Sequence, residues 1–512
     1  MNHAGLGGSG RGRVDAVVVG SGPNGLAGAL VLAAAGLEVR VYEAADTIGG
    51  GTRTEQLTLP GFWHDVCSAV HPMALASPFF RAFDLSRHDV RLLQPEIPYA
   101  HPLDGGRAAL AWRDLDRTAQ GLGADGRAWR SLLGPLVEQW RPLVDTALSD
   151  FRSPPRHPGT ALRMALRTLE QGSALWGVRF RGDAAPALLT GVGAHAIAPP
   201  RAIAPAAVGL VLAALAHAVG WPVPRGGSHT ITRAMAAELT RLGGRIITGR
   251  RIDSLAELPP ARAVLLDVAP AGLLRIAGDL LPDRYSRRLR AFRPGGAACK
   301  VDFALSGPVP WASPDCAWAG TLHLVGSRAE ALAAERAVAA GRHARRPYVL
   351  AVQPGVVDAG RAPAGQHVLW TYAHVPNGSL LDVSDQIIAQ VERFAPGFRD
   401  LILARHVVTA ARAHLHNPNY VGGDISGGAA GLWQMIMRPV PRWDPYRTPL
   451  PGVYLCSAST PPGPAVHGMP GVHAARRALR HRFGIHADPL DLVASAVSGN
   501  GSAGNGEHLR RH

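Results

Sequence analysis

A glycine-rich turn near the start of the chain constrains the fold more than any other feature of the sequence. Residues 14–19 form a continuous apolar run, which is typical of a parallel strand buried on both faces. Gly20, Gly22 and Gly25 follow at once with the spacing G-x-G-x-x-G, then a helical stretch, then a second short strand that ends at Glu43. This order of strand, turn, helix and strand predicts a dinucleotide-binding unit in an α/β protein.

Each residue of the turn has a physical role toward a pyrophosphate. Gly20 permits the tight turn, Gly22 lets the backbone approach the phosphates, and Gly25 lets helix and strand pack closely. Pro23 suits the first turn of a helix, whose free N–H groups favour an anion. Glu43 can accept hydrogen bonds from ribose hydroxyls and would repel a 2′-phosphate, so NADP is disfavoured. The alternative is a glycine-rich turn that binds no ligand.

Two later segments favour FAD over NAD. Gly49-Gly50-Gly51 is a second glycine-rich turn soon after Glu43, as a larger cofactor passing over this loop would need. Near the end of the chain a strand leads through Ser457 to Gly468-Met469-Pro470-Gly471, where a helix is predicted to begin. The N-terminus of that helix can stabilise negative charge on the N1–O2 side of a reduced flavin.

Composition excludes several classes of protein. The 512 residues are 47% hydrophobic and 18% charged, which allows two or three domains with sizeable cores. The net charge of +15 comes from scattered arginines, with Lys300 as the one lysine, so nucleic-acid binding is not expected. The first 13 residues lack an apolar core, and the four cysteines form no C-x-x-C pair, so we expect a cytoplasmic protein with reduced thiols. No histidine pattern predicts a metal site.

Together these motifs resemble the carotenoid/retinoid oxidoreductase family, the phytoene-desaturase-like flavoproteins. Within that family the chain is similar to the subgroup named pyridine nucleotide-disulfide oxidoreductase domain-containing protein 2. The subgroup resemblance rests on Thr54, Gly61-Phe62, His64-Asp65, Ser68, His71-Pro72, Gly226-Gly227, Asn417-Pro418, Gly422-Gly423-Asp424, Gly427-Gly428, Gln434, Arg438-Pro439 and the segment from Cys456 to Gly471.

The resemblance implies an α/β fold with a Rossmann-like FAD-binding domain built from three discontinuous segments and an inserted, mixed α+β substrate domain. The predicted division is a flexible tail (1–13), FAD-binding segment 1 (14–71), a mostly helical part of the substrate domain (72–220), FAD-binding segment 2 (221–275), the sheet of the substrate domain (276–415), FAD-binding segment 3 (416–489) and a disordered tail (490–512).

The predicted FAD contacts combine the motifs above with positions that the resemblance implies. They are Gly20, Gly22, Pro23, Asn24, Gly25, Glu43, Gly49, Gly50, Thr52, Ile252, Ser457, Gly468, Gly471 and Val472. The resemblance implies that Ile252 lies beside the adenine, since it closes the short strand after Gly243-Gly244. Where many related flavoproteins carry an acid, this chain has Ser457-Ala458. Without paired cysteines, the redox disulfide in the subgroup's name is not expected.

The implied activity is the transfer of a hydride from an apolar, isoprenoid or acyl substrate to flavin N5, with oxygen or a quinone-like acceptor as the external oxidant. Lys300 is a catalytic candidate, because its predicted strand resembles the one on which amine oxidases hold a lysine linked through water to N5. The alternative for Lys300 is an exposed strand lysine. His467 is a candidate flavin-side group, with a structural hydrogen-bonding role as the alternative.

Two other functions and a membrane contact stay open at this point. A flavin amine oxidase would need an aromatic cage around the reacting nitrogen, and an FAD-containing interaction protein would show little turnover. The longest apolar run, residues 202–221, contains Pro205 and His217, so we interpret it as a buried or monotopic helix rather than a membrane span. It is the candidate surface for a peripheral membrane contact through which a lipophilic substrate is collected.

Overall fold

The computed structural model describes residues 13–199 and 202–499. Residues 1–12 of the predicted N-terminal tail and residues 500–512 of the predicted C-terminal tail lie outside this part of the chain.

The described residues contain two larger sheets and two short strand pairs. The strands are β1 (Val14–Val19), β2 (Val39–Tyr42), β3 (Thr54–Glu55), β4 (His64–Asp65), β5 (Leu92–Leu93), β6 (Ile97–Leu103), β7 (Arg107–Ala111), β8 (Val223–Pro224), β9 (Arg245–Ile247), β10 (Ala261–Leu266), β11 (Ala297–Leu305), β12 (Ala319–Leu324), β13 (Val349–Val352), β14 (His367–Val375), β15 (Ile402–Val408) and β16 (Val453–Leu455).

Helices cover both faces of the first sheet and also pack on the second. They are α1 (Pro23–Ala34), α2 (Pro72–Ala76), α3 (Pro78–Phe83), α4 (Leu115–Gly121), α5 (Gly126–Glu138), α6 (Trp140–Ala147), α7 (Pro158–Gly172), α8 (Ala184–Gly193), α9 (Ile203–Ala218), α10 (His229–Arg241), α11 (Pro270–Ala277), α12 (Asp283–Arg290), α13 (Arg328–Ala339), α14 (Ser384–Phe394), α15 (Leu432–Met437), α16 (Met469–Ala478) and α17 (Pro489–Val497).

The first sheet is parallel and has the strand order β16-β10-β1-β2-β9. Its strands come from three separated stretches of chain, so the α/β fold with a discontinuous Rossmann-like unit is confirmed. The central strand β1 is buried on both faces, which is why its sequence is an unbroken apolar run. Helix α1 begins at Pro23 and packs against α16 and α10.

The second sheet is mixed, with the order β15-β11-β14-β13-β12-β6-β7. Only β12 and β6 run parallel within it. The hairpin β6–β7 belongs to the region that the sequence predicts as mostly helical. All seven residues of β6 (IPYAHPL) are buried, so the strand shows no apolar and polar alternation by which it could have been found.

Two local predictions are wrong. The stretch predicted as a strand over 251–255 has no strand, and its last residue begins a short 3-10 helix, Leu255–Glu257, with a capping box between Ser254 and Glu257. The predicted disordered tail begins too early, because α17 is a helix whose first turn is capped by Asp488. Val493 of α17 is buried in the core, and the helix packs on α1 and α3.

The long apolar run around residues 202–221 forms helix α9, most of which is buried. Helices α5, α7 and α8 pack against it, so the prediction that this run is a membrane-contacting surface is wrong, and the buried-helix interpretation is confirmed. Among the described residues, no helix combines the length and the apolar composition needed to cross a bilayer.

Candidate cofactor and substrate site

A cavity of about 1040 Å³ lies between the carboxyl edge of the parallel sheet and one face of the mixed sheet. Pockets for drug-sized ligands have volumes of roughly 300–1,000 Å³, so this one can hold a large cofactor. The parallel-sheet side reaches it through Val19, Tyr42, Asp267 and Ser457, the mixed sheet through Leu350, Val352, Trp370 and Tyr372, and α9 through Ala204, Ala207, Val208, Val211 and Leu212.

The glycine-rich turn is packed so tightly that side chains are excluded. Gly20 has a φ of +105°, and a Cβ on Gly25 would lie 2.1 Å from the carbonyl oxygen of Gly20. A Cβ on Gly50, in the second glycine turn, would come within 3.2 Å of the Cα of Gly22. The two turns therefore lie against each other at the start of α1, and Gly20, Gly22, Pro23 and Gly50 line the cavity. Gly25 serves the packing of helix on strand, as predicted.

Glu43 stands at the end of β2 and lines the cavity. Its Oε2 accepts hydrogen bonds from the backbone N–H of Ser21 at 2.9 Å and from the Ser21 hydroxyl at 2.6 Å, and its Oε1 accepts from the N–H of Ala45 at 2.9 Å. Arg53 lies 3.6 Å from Oε1. These contacts fix the orientation of the carboxylate and leave acceptor sites for ribose hydroxyls.

Asn24 and Asp267 add polar groups that are short of partners. In the described part of the chain the buried Oδ1 of Asn24 has no hydrogen-bond partner, although Asn24 lines the cavity at the N-terminus of α1. Asp267 follows β10 and accepts a hydrogen bond from the N–H of Gly25 at 3.0 Å. Burial raises the pKa of Asp267 to about 7, and the nearby charge of Glu43 acts in the same direction. Sequence analysis missed Asp267, although an acid directly after a buried parallel strand was a usable signal.

The hydroxyls of Thr52 and Thr232 fix the position of the second glycine turn. The Thr52 hydroxyl donates to the carbonyl oxygen of Gly49 at 2.8 Å and lies 3.1 Å from the Thr232 hydroxyl of α10. Gly49 has a φ of +116° and does not line the cavity, whereas Thr52 does. Gly49 therefore acts as a turn residue that positions Gly50 and Thr52.

Ile252 is buried and lines the cavity close to Arg250 and Arg251, at the same end as Glu43. The predicted strand at Ile252 is absent, and its place beside the adenine stays a prediction. Ser457 lines the cavity beside Ala458 and Ser459.

Three predicted cofactor residues near the start of helix α16 lie away from the cavity lining. Gly468 has a φ of +72° and precedes α16, and a Cβ on it would meet Ala27 at 2.9 Å. A Cβ on Gly471 would lie 1.9 Å from the carbonyl oxygen of Asn24, and Val472 is fully buried. These residues let α16 pack closely against α1. The residues of this segment that do line the cavity come earlier in the sequence; they are 457–459, Pro462 and 464–466.

His467 does not face the cavity. Its ring is buried, and its Nδ1 accepts a hydrogen bond from the N–H of Met469 at 3.1 Å, at the start of α16. Burial lowers the pKa of His467 to about 4, which keeps the ring neutral. The structural alternative is therefore the one that the geometry supports, because a helix N-terminus needs acceptors for its free N–H groups.

Lys300 lies on β11, opposite Tyr372 of β14, so the two side chains share the face of the mixed sheet that borders the cavity. Its ammonium forms a buried ion pair with Asp302 and lies 5.4 Å from the centroid of the Trp370 ring. Lys300 is not exposed on a strand, as the alternative assumed, and it is not among the cavity-lining residues. Its charge lies within electrostatic reach of Cys67 and His416, which do line the cavity.

Asp302 is the centre of a buried charged cluster. His64 lies 3.6 Å from its Oδ1 and His406 lies 4.0 Å from its Oδ2. Burial alone would raise the pKa of the Asp302 carboxyl, but the charge of Lys300 and the proximity of His406 lower it below its ordinary value. The carboxylate is therefore ionised and holds the Lys300 ammonium in place.

A pair of histidines, missed in the sequence, stands at the apolar end of the cavity. His195 lines the cavity, and its Nε2 lies 3.0 Å from the Nε2 of His323. Burial lowers the pKa of His195 to about 3, so the ring is neutral. The two residues are far apart in the chain, and no spacing rule connects them.

The fold and this cavity define a dinucleotide-binding oxidoreductase with an apolar substrate lobe beside the nucleotide turn. A profile of the family described as "Flavin containing amine oxidoreductase" matches residues 24–479, and the chain belongs to this family. It is an FAD-dependent oxidoreductase. The glycine turns that exclude a Cβ, the unpartnered Asn24 oxygen and the oriented Glu43 fit this cofactor.

Two curated relatives extend the comparison. The chain is 24% identical to pyridine nucleotide-disulfide oxidoreductase domain-containing protein 2 of Rattus norvegicus over 557 aligned positions, covering 91% of this chain and 93% of that protein. It is 27% identical to a phytoene dehydrogenase of Streptomyces griseus, covering 85% and 88% of the two chains. The family resemblance seen in the sequence is confirmed.

Solved structures show the same fold. An oxidoreductase from Methanosarcina mazei superimposes with a TM-score of 0.59 at 16% identity, covering 89% of this chain and 98% of that one. A putrescine oxidase bound to putrescine superimposes with a TM-score of 0.56 at 17% identity, covering 95% and 99%.

Proposed function

We propose that the protein is a dehydrogenase or desaturase of a long apolar compound, isoprenoid or acyl, and that oxygen or a quinone-like acceptor is its external oxidant. The observation that carries this proposal is the lining of the cavity beyond the nucleotide turn. That part is built from Met73, Leu148, Phe151, Met164, Ala204, Ala207, Val208, Val211, Leu212, Leu350, Val352, Met435 and Val466. A lining of this kind desolvates hydrocarbon and offers little to a polar substrate.

The carboxylates of the cavity support the same assignment. Among the described lining residues, Glu43 and Asp267 are the two acids, and both contact the first glycine turn. The substrate lobe therefore has no anionic group to pair with an ammonium. The phytoene dehydrogenase relative, whose name states a lipophilic substrate, agrees with an apolar one here.

Trp370 and Tyr372, two of the described aromatic residues that line the cavity, do not face each other as the rings of a cage would. Trp370 and Tyr372 meet edge to face, with ring centroids 5.2 Å apart and an interplanar angle of 75°. Lys300 already lies 5.4 Å from the Trp370 ring centroid, and Tyr372 stacks on His374 with centroids 5.5 Å apart. A cationic amine would have to compete with the Lys300 charge for Trp370. This arrangement favours an apolar substrate over an amine.

When bound, FAD supplies the acceptor for the two electrons and the hydrogen of a substrate C–H bond. The protein orients that bond and excludes water from it, and α9, Leu350 and Val352 provide the apolar walls. His195 remains uncharged beside the substrate, because its pKa is far below neutrality. Lys300 stays paired with Asp302.

The alternative of an interaction protein with little turnover predicts a slot filled by the protein's own side chains. The cavity lining that continues past the glycine turns to Met164, Val208 and Leu212 argues against this alternative. We also propose that the protein works as a cytoplasmic, peripheral protein at a membrane surface, because a water-insoluble substrate is collected from lipid.

Anaerobic bleaching of the flavin absorbance tests the proposal. The holoprotein is mixed with a polyene precursor, a long-chain acyl compound, or putrescine, each delivered in the same detergent micelles. We expect bleaching by an apolar compound and none by the amine, followed by reoxidation on adding oxygen or a quinone. Bleaching by the amine would establish an amine oxidase, and no bleaching by any compound would favour the interaction protein.

A further inference from the structure

Helix α7 carries an apolar stripe on its outer face that nothing in the described structure covers. Leu162, Leu166 and Leu169 recur at helical spacing, and 62%, 58% and 55% of their surfaces are exposed. Isolated exposed leucines are common, but a stripe of three on one helix face is typical of a binding surface.

The same helix forms a wall of the cavity. Met164 and Thr168, on the opposite side of α7 from the leucines, line the cavity. The leucines therefore stand on the outside of the wall whose inside contacts the substrate lobe.

A second group of exposed apolar residues extends this surface onto another helix of the cavity wall. Helix α15 contributes Met435 to the cavity lining and exposes Trp433 to 68%. The loop between α6 and α7 joins α15 to α7, since the Arg152 guanidinium donates to the carbonyl oxygen of Ile436 at 2.8 Å. We call this surface the apolar collar; its members are Phe151, Leu162, Leu166, Leu169, Leu175, Val178, Leu432, Trp433, Ile436 and Trp443.

The charged residues around the apolar collar indicate what kind of partner covers it. Residues 151–182 contain six arginines and a single acid, Glu170. Glu170 is already paired with Arg167 and Arg179. Residues 429–443 add Arg442 and no acid, whereas Arg438 in the same stretch is buried. Leucine and tryptophan surrounded by arginine form the composition of a helix that lies in a bilayer interface, where anionic headgroups attract the arginines.

We propose that the apolar collar docks on the surface of an anionic lipid bilayer, with α7 and α15 lying in the interface and the cavity opening toward the acyl chains. The purpose of this docking, the collection of a lipophilic substrate, rests on the proposed function. The docking itself depends on the collar and its arginines, and not on turnover.

Vesicle cosedimentation of the holoprotein tests the proposal. The probe is phosphatidylcholine vesicles with or without phosphatidylglycerol. We expect the protein to pellet with the anionic vesicles and more weakly with the neutral ones, and higher salt should reduce pelleting. The triple variant Leu162→Gln, Leu166→Gln, Leu169→Gln should lose about tenfold or more of its partitioning, because three apolar side chains no longer enter the interface. Glutamine keeps the helix propensity near that of leucine.

The matched control replaces three exposed leucines outside the collar: Leu280→Gln, Leu380→Gln, Leu381→Gln. It should pellet like the wild type, and the flavin spectrum of both triple variants should show that they are folded. A second collar variant, Trp433→Gln with Trp443→Gln, should also lose binding.

Wild-type protein that stays in the supernatant with every vesicle would overturn the proposal, as would equal pelleting of the collar and control variants. A dimer that the collar substitutions convert to a monomer, without vesicle binding by the wild type, would assign the collar to a second copy of the chain instead. Failure of the proposed function would appear separately, as missing bleaching by apolar compounds in micelles.

Discussion

The two sides of the cavity are built from different kinds of chemical group. On the parallel-sheet side the contacts come from backbone and from carboxylates fixed by backbone N–H groups, as in the bond from Ser21 to Glu43. On the mixed-sheet side they come from apolar side chains and from neutral His195. The charged pair of that side, Lys300 and Asp302, is buried and is not part of the cavity lining.

The two sides therefore differ in how far their residues can be substituted. A glycine turn that touches its own carbonyl tolerates no added atom, whereas an apolar wall accepts other side chains of similar volume. On the nucleotide side, the addition of a single atom should therefore disturb the structure. On the substrate side, a disturbance should need the loss of a charge pair or of side-chain volume.

Gly25→Ala should have the largest effect on cofactor binding, and it acts on the nucleotide side. The new Cβ would lie 2.1 Å from the carbonyl oxygen of Gly20, so α1 and the turn must move apart. We expect FAD binding to weaken by about a hundredfold, from the flavin content after dialysis and from titration of the apoprotein. Gly121→Ala is the matched control, because nothing lies within 4 Å of its Cβ position. Equal FAD retention by the two variants would contradict the packing argument.

Lys300→Met acts on the other side and should mainly reduce stability. It leaves the Asp302 carboxylate buried without its cation, and breaking such a pair costs about 3–5 kcal/mol. The double variant Lys300→Met with Asp302→Leu should regain most of the free energy of unfolding, measured with urea. Rates of flavin reduction and reoxidation in the double variant then report on catalysis. Unchanged rates would remove Lys300 from the mechanism, and an unchanged stability of the single variant would show that the pair is not structural.

Asp267 should produce the smallest effect, a pH dependence of FAD binding. Burial raises its pKa to about 7, so the carboxyl is neutral below that pH and charged above it. A charged Asp267 repels the pyrophosphate, and we expect the Kd for FAD to rise about tenfold between about pH 6 and about pH 8. Because the folded pKa is raised, stability of the apoprotein should also fall as the pH rises toward 7.

Asp267→Asn should flatten both pH dependences, because the amide oxygen still accepts the hydrogen bond from Gly25 but carries no charge. Fluorescence quenching of added FAD measures the Kd, and thermal melting of the apoprotein measures the stability. A wild-type Kd that follows the Asp267→Asn Kd at every pH would show that Asp267 does not titrate in this range.

The nucleotide side could be predicted from sequence because its signals are local. Strand β1, the turn, helix α1 and Glu43 are contiguous in the chain, and each obeys a backbone rule. The resemblance placed the later FAD-binding segments, and the parallel sheet does draw on them. Gly468 and Gly471 show the limit of such reasoning, since a glycine needed for helix packing has the same signature as one that approaches a ligand.

The substrate side could not be predicted because its contacts are long-range. His195 and His323 meet only in the folded protein, and β6 is buried on both faces, which removes its periodicity. The leucines of α7 have a clear helical spacing, but sequence cannot tell an outer apolar face from an inner one. For the same reason, the prediction that the apolar run of α9 is a membrane-contacting surface was wrong.

The visible spectrum and flavin stoichiometry of the purified protein test the central claim most directly. The account predicts a yellow protein, with one FAD released per chain on denaturation, and an apoprotein that regains its colour with FAD but does not bind NADP. A colourless product that binds no added FAD under any condition in which it is folded would contradict the account.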